Sequence, residues 1–177
     1  MTPPIDYYIA LSSPWAYLGH DRFHALTRRH GASVRLLPFD LGKVFEVSGG
    51  LPLARRAPQR QEYRLLELAR FSTHLKIPMN LRPRFFPVQA DNAARLVIAT
   101  GVHDGSDAAM RLTGAILLAT WSRELDISST LVLARLLDEC QLPAQRMEDA
   151  DVEVTRQQYA ATPSGRSPSG CLVPLPT

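Results

Sequence analysis

Residues 5–18, IDYYIALSSPWAYL, decide the fold because they join a strand pattern to a helix start. The first half is rich in aromatic and β-branched residues, which favours a β-strand. Ser13 and Pro14 follow in the order of an N-cap and a first helical residue, so we expect a helix to about residue 30. Residues 33–39, SVRLLPF, are typical of a second strand. This order predicts a right-handed βαβ unit with parallel strands.

The chain changes character after the second predicted strand. Residues 40–58 contain several glycines and prolines and are predicted to form a loop. Helices are then predicted at residues 59–75, 90–100, 106–123, from Ser128 or Ser129 through Cys140, and at about 144–160. We expect a βαβ part over residues 1–45, a helical insertion over 46–160 and an irregular tail over 161–177.

Composition narrows the class of protein. The chain has 177 residues, 45% of them hydrophobic, and a net charge of +3 that comes mostly from arginine. This balance fits anionic small molecules, and the scattered basic residues argue against nucleic acid. No apolar run is long enough to cross a membrane, and no signal pattern opens the chain. We therefore expect no membrane contact and a cytoplasmic location.

The cysteines and histidines do not predict a redox or metal site. Cys140 and Cys171 form neither a disulfide framework nor a CxxC pair. We expect a buried thiol at the first and an exposed thiol at the second. His20 and His24 lie four residues apart on one predicted helix, but no third ligand is apparent. We therefore expect surface roles for both histidines and no bound metal.

Ser13 is the residue whose position suggests a catalytic role. A helix N-terminus stabilises a thiolate through its unpaired N–H groups and its dipole, and a hydroxyl adds a hydrogen bond. No cysteine stands at this position, so the sulfur would come from a bound thiol. The simpler alternative is an ordinary N-cap, which serine provides in many helices. Ser12 is the adjacent candidate, with a structural turn as its alternative role.

Several further stretches carry a family resemblance when they are taken in order. They are residues 7–18, LPFDLGKVF at 37–45, GLP at 50–52, IPMN at 77–80, RFFP at 84–87 with Asn92 and Arg95, and WSRELDI at 121–127. In this order and spacing, the chain resembles the 2-hydroxychromene-2-carboxylate isomerases and the kappa-class glutathione transferases. Both belong to the DsbA branch of the thioredoxin-like superfamily. The resemblance implies an α/β fold, a thioredoxin-like βαβ unit with a large all-helical insertion.

The resemblance also implies a reaction. Glutathione would be the cofactor, and the substrate a small aromatic carboxylate, 2-hydroxychromene-2-carboxylate, interconverted with trans-o-hydroxybenzylidenepyruvate. Ser13 takes the place of the first cysteine of a CPxC redox helix and Ala16 that of the second, which removes disulfide exchange. Two alternatives stay open: a kappa-type transferase and a catalytically inactive thioredoxin-like binding protein. The resemblance further implies a possible homodimer.

The resemblance suggests roles for eight residues, each with a plain structural alternative. Ser13 is the catalytic residue and binds glutathione, together with Gly50, Leu51 and Arg55. Arg55 and its neighbour Arg56 have a surface role as their alternative. Substrate binding is expected from Lys43, Phe86, Asn92 and Trp121. The two aromatic residues have core packing as their alternative, Asn92 a place at a helix N-terminus, and Lys43 a solvated surface.

The chain departs from the family pattern in two places. The family usually has asparagine near Gly50, where this chain has Gly49-Gly50-Leu51. Family members also continue past the last helix with Gly-Val-Phe-Gly-x-Pro, two strands and a closing helix, which residues 163–177 do not match. We expect a truncated or frameshifted C-terminus that lacks these elements; the alternative is a naturally divergent tail.

Overall fold

The computed structural model describes residues 3–162. Strand β1 (Ile5–Ile9), helix α1 (Pro14–Arg29) and strand β2 (Val34–Pro38) form the predicted βαβ unit. The two strands are parallel, with Ile5 opposite Val34 and Ile9 opposite Pro38. The expected irregular tail beyond Thr162 and the expected C-terminal departure lie outside the described residues.

The loop expected at residues 40–58 is wrong, because it contains helix α2 (Leu41–Ser48) and a short 3-10 helix (Leu53–Arg55). Asp40 starts α2 by accepting a hydrogen bond from the Gly42 N–H at 2.8 Å. Gly49, with a φ of +73°, ends α2 in the left-handed conformation that glycine adopts without strain. A glycine that marks a loop in the sequence is therefore a helix stop. Helix α2 also runs across the proposed domain boundary at residue 45.

The helical part follows the predicted order. It consists of α3 (Pro58–Leu75), α4 (Asp91–His103), α5 (Ser106–Trp121), α6 (Thr130–Glu139), α7 (Arg146–Asp149) and α8 (Glu153–Ala161). The single helix expected over 144–160 is wrong, since α7 and α8 are separate. Ala150 turns into the core with 6% exposure, and the Thr155 hydroxyl donates to the Asp149 carbonyl at 2.8 Å. These contacts stabilise the break.

The main core lies where α4 and α5 pack on each other, on β2 and on α1. Its largest fully buried side chains include Leu68, Leu96, Leu112, Ile116, Leu117, Trp121 and Leu136. Burial of one such aliphatic side chain stabilises a fold by about 1.5–3 kcal/mol. The helical part thus packs on both β2 and α1 and fixes the position of α1.

Candidate functional site

Two helices begin at one edge of the sheet. Because β1 and β2 are parallel, both strands end at this edge, and the Phe39 N–H donates to the Ile9 carbonyl at 3.0 Å there. Helix α1 begins after β1 with Ser13 as its N-cap, and α2 begins after β2 with Asp40 as its N-cap. In α/β proteins, ligands bind outside the carboxyl ends of parallel strands. This edge is therefore the candidate site.

Ser13 presents a hydroxyl with an uncommitted proton. Its Oγ accepts a hydrogen bond from the Ala16 N–H at 3.3 Å, and its own N–H donates to the Ala10 carbonyl at 2.9 Å. Since Oγ acts as an acceptor in the first bond, the O–H proton remains able to donate to a ligand. The side chain is half-buried.

The first turn of α1 also offers a backbone donor. Pro14 has no N–H, the Ala16 N–H bonds Ser13 Oγ, and the Tyr17 N–H bonds the Ser13 carbonyl. The Trp15 N–H therefore has no partner within residues 3–162. A hydroxyl and an N–H at the positive end of a 16-residue helix suit an anion such as a thiolate. On this donor set, the residues present fit the sulfur of glutathione.

Side chains of α1 fasten this helix to the helical part. The Tyr17 hydroxyl donates to the Pro78 carbonyl at 2.7 Å. His20 Nε2 donates to the Met110 carbonyl at 2.9 Å, and its Nδ1 lies 3.3 Å from the Tyr7 hydroxyl. Burial lowers the pKa of His20, in spite of the Met110 carbonyl and the negative charge of Asp21. The neutral ring, with Nε2 protonated and Nδ1 accepting, fits both contacts.

The predicted surface role of His20 is wrong, because only 1% of this residue is exposed. Its backbone lies on the α1 face that packs against α5, where Gly114 leaves space for the imidazole ring. His24 lies nearer the surface and hydrogen-bonds Asp107 at 3.0 Å. No group of three metal-ligating side chains occurs in the described part of the chain.

The residues predicted to hold glutathione follow α2. Gly50 packs so closely on Phe45 that a Cβ at this position would lie 2.5 Å from the ring. Leu51 is 53% exposed, and Arg55 is exposed at the end of the 3-10 helix. Arg56 Nε donates to the Leu51 carbonyl at 2.8 Å and so fixes the loop. The structure brings Leu51 together with Arg56, whereas the Arg55 side chain makes no hydrogen bond or ion pair within residues 3–162.

Two predicted substrate residues do meet. The rings of Phe86 and Trp121 lie 5.0 Å apart between centroids, and the Arg64 guanidinium lies over both. Trp121 is fully buried, so a ligand would meet Arg64 and the half-buried Phe86 first. Trp121 Nε1 has no hydrogen-bond partner within the described residues. Core packing, the structural alternative for Trp121, therefore explains the position of most of this ring.

The other two predicted substrate residues lie apart from this pair. The Asn92 amide hydrogen-bonds the Ser128 carbonyl at 3.5 Å, and its Oδ1 accepts from Arg95 at 2.8 Å. Asn92 thus occupies the helix N-terminal position weighed as its alternative, near the start of α4. Lys43 is exposed on α2.

Arg64 is the residue that sequence reasoning missed. An arginine in an amphipathic helix is normally solvated, so the sequence carried no signal for its burial. Burial lowers the pKa of Arg64, and the nearby positive charge of Arg56 lowers it further. Only the fold brings residues 86 and 121 under this part of α3.

A cavity of about 780 Å³ lies on the face of the sheet that points away from α1. Its walls include Tyr8, Leu37, Ile98 and Gln158, together with the ion pair of Asp6 and Arg35. None of the predicted site residues lines it. The cavity is therefore separate from the candidate site.

Cys140 gives no redox site. It follows α6 and is half-buried rather than fully buried as expected, and burial raises the pKa of its thiol. A raised pKa lowers the fraction of the reactive thiolate. Cys171 lies outside the described residues. None of the helices within residues 3–162 has the length and hydropathy needed to span a membrane.

Comparisons with known proteins agree with this architecture. Residues 4–162 match the family of the DsbA-like thioredoxin domain. Glutathione S-transferase kappa 1 of Caenorhabditis elegans is 34% identical over 84 residues, which cover 47% of this chain and 37% of that protein. The aligned region thus spans little more than a third of that relative.

Two solved structures share the fold. A 2-hydroxychromene-2-carboxylate isomerase matches with a TM-score of 0.69 and 18% identity, over 90% of this chain and 77% of that one. Cytosolic disulfide reductase DsbM from Pseudomonas aeruginosa, solved with GSH, matches with a TM-score of 0.65 and 20% identity, over 90% and 77%. The expected α/β fold, a thioredoxin-like βαβ unit with a helical insertion, is confirmed. The chain belongs to the family of DsbA-like thioredoxin domains.

Proposed function

We propose that this protein is a glutathione-dependent isomerase that interconverts 2-hydroxychromene-2-carboxylate and trans-o-hydroxybenzylidenepyruvate. The observation that supports this most is Ser13, a hydroxyl with an uncommitted proton at the N-terminus of α1. The fold likeness to an isomerase of this name adds support.

Ser13 would act by keeping the glutathione sulfur ionised. Its hydroxyl donates a hydrogen bond to the thiolate, and the Trp15 N–H and the α1 dipole add partial positive charge. A hydrogen bond to a charged group contributes about 1.5–3 kcal/mol. That energy corresponds to a shift in the thiol pKa of about one to two units.

Glutathione, when bound, supplies a thiolate that adds to a conjugated double bond and leaves again, which permits rotation about that bond. In the proposed site, Gly50, Leu51 and Arg55 hold glutathione. Phe86 and Trp121 provide an apolar wall for the substrate, and Lys43 and Asn92 provide polar groups. We propose a cytoplasmic location, in line with a DsbM relative described as cytosolic, and a homodimer.

A kappa-type glutathione transferase is the second candidate, favoured by the 34% identity to glutathione S-transferase kappa 1. It would use Ser13 in the same way and differ in the electrophile. Disulfide exchange fits the site poorly, because Ser13 and Ala16 stand where a CPxC helix has its two sulfurs.

Calorimetric titration with glutathione, followed by an absorbance assay of chromene-acid isomerisation, tests the proposal on the full chain. We expect Ser13→Ala to lower kcat/KM about ten- to a hundredfold, in line with a lost bond to a charged group. Ser12→Ala is the matched control and should retain the parent rate.

Each other result has a defined meaning. Glutathione binding without isomerisation would favour the transferase, and no glutathione binding would favour an inactive binding protein. Equal rates for Ser13→Ala and the parent would rule out the role assigned to Ser13.

A further inference from the structure

Two half-buried arginines lack a carboxylate partner. Five arginines are half-buried among residues 3–162: Arg56, Arg64, Arg95, Arg123 and Arg146. The last three form ion pairs, with Asp151, Glu139 and Asp104 respectively. Arg56 and Arg64 form none in the described residues. A partly buried charge without a counterion is costly unless a ligand supplies one.

The positions of the printed sequence that the structure does not describe add no acidic side chain. Met1, Thr2 and residues 163–177 contain no aspartate or glutamate. The guanidinium groups instead lie on aromatic rings, that of Arg56 5.7 Å from the Phe45 centroid and that of Arg64 5.4 Å from the Phe86 centroid. An aromatic ring contacts the face of a guanidinium group, so the N–H groups at the guanidinium edge can still donate hydrogen bonds in the guanidinium plane.

The two arginines influence each other. The positive charge of Arg56 contributes to the lowered pKa of Arg64, so the two groups lie within electrostatic reach. The Gln61 side chain donates to the Arg56 carbonyl at 2.8 Å, which ties the residue to the first turns of α3. Two neighbouring cations repel each other, and a bound anion relieves this repulsion.

The pair also adjoins the candidate site. Arg56 hydrogen-bonds the Leu51 carbonyl, in the loop expected to hold glutathione. Arg64 and Phe71 are seven residues apart and share a face of α3, and Phe71 packs on Trp15 with centroids 5.6 Å apart. Trp15 lies in the first turn of α1, two residues after Ser13. One face of α3 thus extends from the start of α1 to Arg64.

We propose that Arg56 and Arg64 form a carboxylate subsite, in which Arg64 holds the carboxylate of an aromatic acid while the ring of that acid lies against Phe86. A guanidinium binds a carboxylate through two parallel hydrogen bonds, and Phe86 is the accessible member of the aromatic pair. The choice of an aromatic acid rests on the proposed function; the anion site itself does not. This subsite replaces Lys43 as the expected holder of the substrate carboxylate.

Calorimetric titration with trans-cinnamate tests the subsite without turnover. We expect trans-cinnamate to bind the parent protein and the neutral cinnamamide, of nearly the same shape, to bind at least tenfold more weakly. Arg64→Met retains the aliphatic stem and should weaken cinnamate binding about ten- to a hundredfold, through loss of a charge-assisted bond. Arg64→Lys should give an intermediate loss, because an ammonium group does not bind in the bidentate manner.

Arg70→Met is the matched control, since Arg70 is an exposed arginine on the same helix and its loss changes the net charge equally. It should leave cinnamate binding within twofold of the parent. Thermal unfolding of each variant shows whether it is folded. The comparison of cinnamate with cinnamamide on the parent protein needs no variant and holds even if Arg64→Met is unstable.

Titration with glutathione separates the two sources of a carboxylate. If Arg64→Met weakens binding of glutathione and not of cinnamate, the subsite belongs to the cofactor and the proposal is overturned. Absence of cinnamate binding, equal binding of the amide, or equal losses in Arg64→Met and Arg70→Met would overturn it as well. Arg64-dependent cinnamate binding without isomerisation would support the subsite and count against the isomerase.

Discussion

The N-termini of α1 and α2 are the most instructive pair in this molecule. Both helices follow parallel strands at the same sheet edge, and both have a polar N-cap. The α1 cap is the neutral Ser13, and the α2 cap is the carboxylate of Asp40. A capping carboxylate occupies the positive end of the helix with its own charge, whereas a neutral hydroxyl leaves that end available to a bound anion. A carboxylate therefore caps a helix but excludes a bound anion, whereas a serine hydroxyl caps the helix and still permits an anion to bind.

The two helices also differ in how firmly they are held. Helix α1 has five buried residues and hydrogen bonds from Tyr17 and His20 to the helical part. Helix α2 has eight residues and buries only Val44. A ligand-binding hydroxyl must be held in position to be effective. Helix α1, the more firmly held of the two, is therefore the better placed to position a ligand-binding hydroxyl at its N-terminus.

Exchanging the two caps should produce the largest effect. Ser13→Asp places a carboxylate where the thiolate of glutathione would bind, and we expect glutathione affinity to fall at least about a hundredfold through like-charge repulsion. Helix stability should change little, because aspartate is a good N-cap. Asp40→Ser is the matched control and should change the affinity less than threefold. Calorimetry gives both constants, and similar losses in the two variants would refute the distinction.

Introduced thiols should measure the difference in field between the two helix starts. In a background without native cysteines, the thiol introduced by Ser13→Cys should titrate about one to two pH units below the usual cysteine pKa of about 8.5. The thiol introduced by Asp40→Cys should titrate closer to the usual value, since α2 is short and weakly held. The pH dependence of alkylation by iodoacetamide reports both. If the thiol of Asp40→Cys had the lower pKa, the start of α1 would not have the stronger positive field of the two helices.

Acid should weaken the attachment of α1 through His20. Burial holds the pKa of His20 below its unfolded value of about 6.5, so the unfolded chain binds more protons than the folded one below that pH. The contribution of this residue to stability is therefore complete above about pH 7 and declines as the pH falls through 6.5, by at most about 1.4 kcal/mol per pH unit.

Urea unfolding at several pH values between 5 and 7 checks this dependence. The neutral variant His20→Gln should have a smaller slope of stability against pH than the parent. His74→Gln, at an exposed position of α3, is the control and should retain the slope of the parent. An unchanged slope in His20→Gln would place the titrating group elsewhere.

Removing the α2 cap should have the smallest effect. Asp40→Ala leaves the Gly42 N–H without its acceptor, and we expect a loss of about 1 kcal/mol in the free energy of unfolding. Asp40→Asn retains a capping oxygen and should lose less than half of that amount. Urea denaturation of both variants provides the test, and a greater loss in Asp40→Asn would contradict the capping role.

The sequence by itself determined the βαβ unit, the order of most helices and Ser13 as the cap of α1. Each follows from local rules: strand composition, a Ser-Pro helix start and apolar periodicity. It also predicted that Phe86 and Trp121 could line one aromatic pocket, and the structure brings the two rings together. These features depend on residues close in sequence or on a pattern shared with relatives.

Only the tertiary structure decided which polar residues lie inside. His20 is buried because α5 passes over it at Gly114, and Arg64 is half-buried because Phe86 and Trp121 lie beneath α3. The sequence did not predict helix α2, because Gly49, the residue that ends this helix, resembles a loop residue. Burial of a charge depends on distant segments that no local pattern encodes, and for this reason the candidate anion site became visible only in the folded chain.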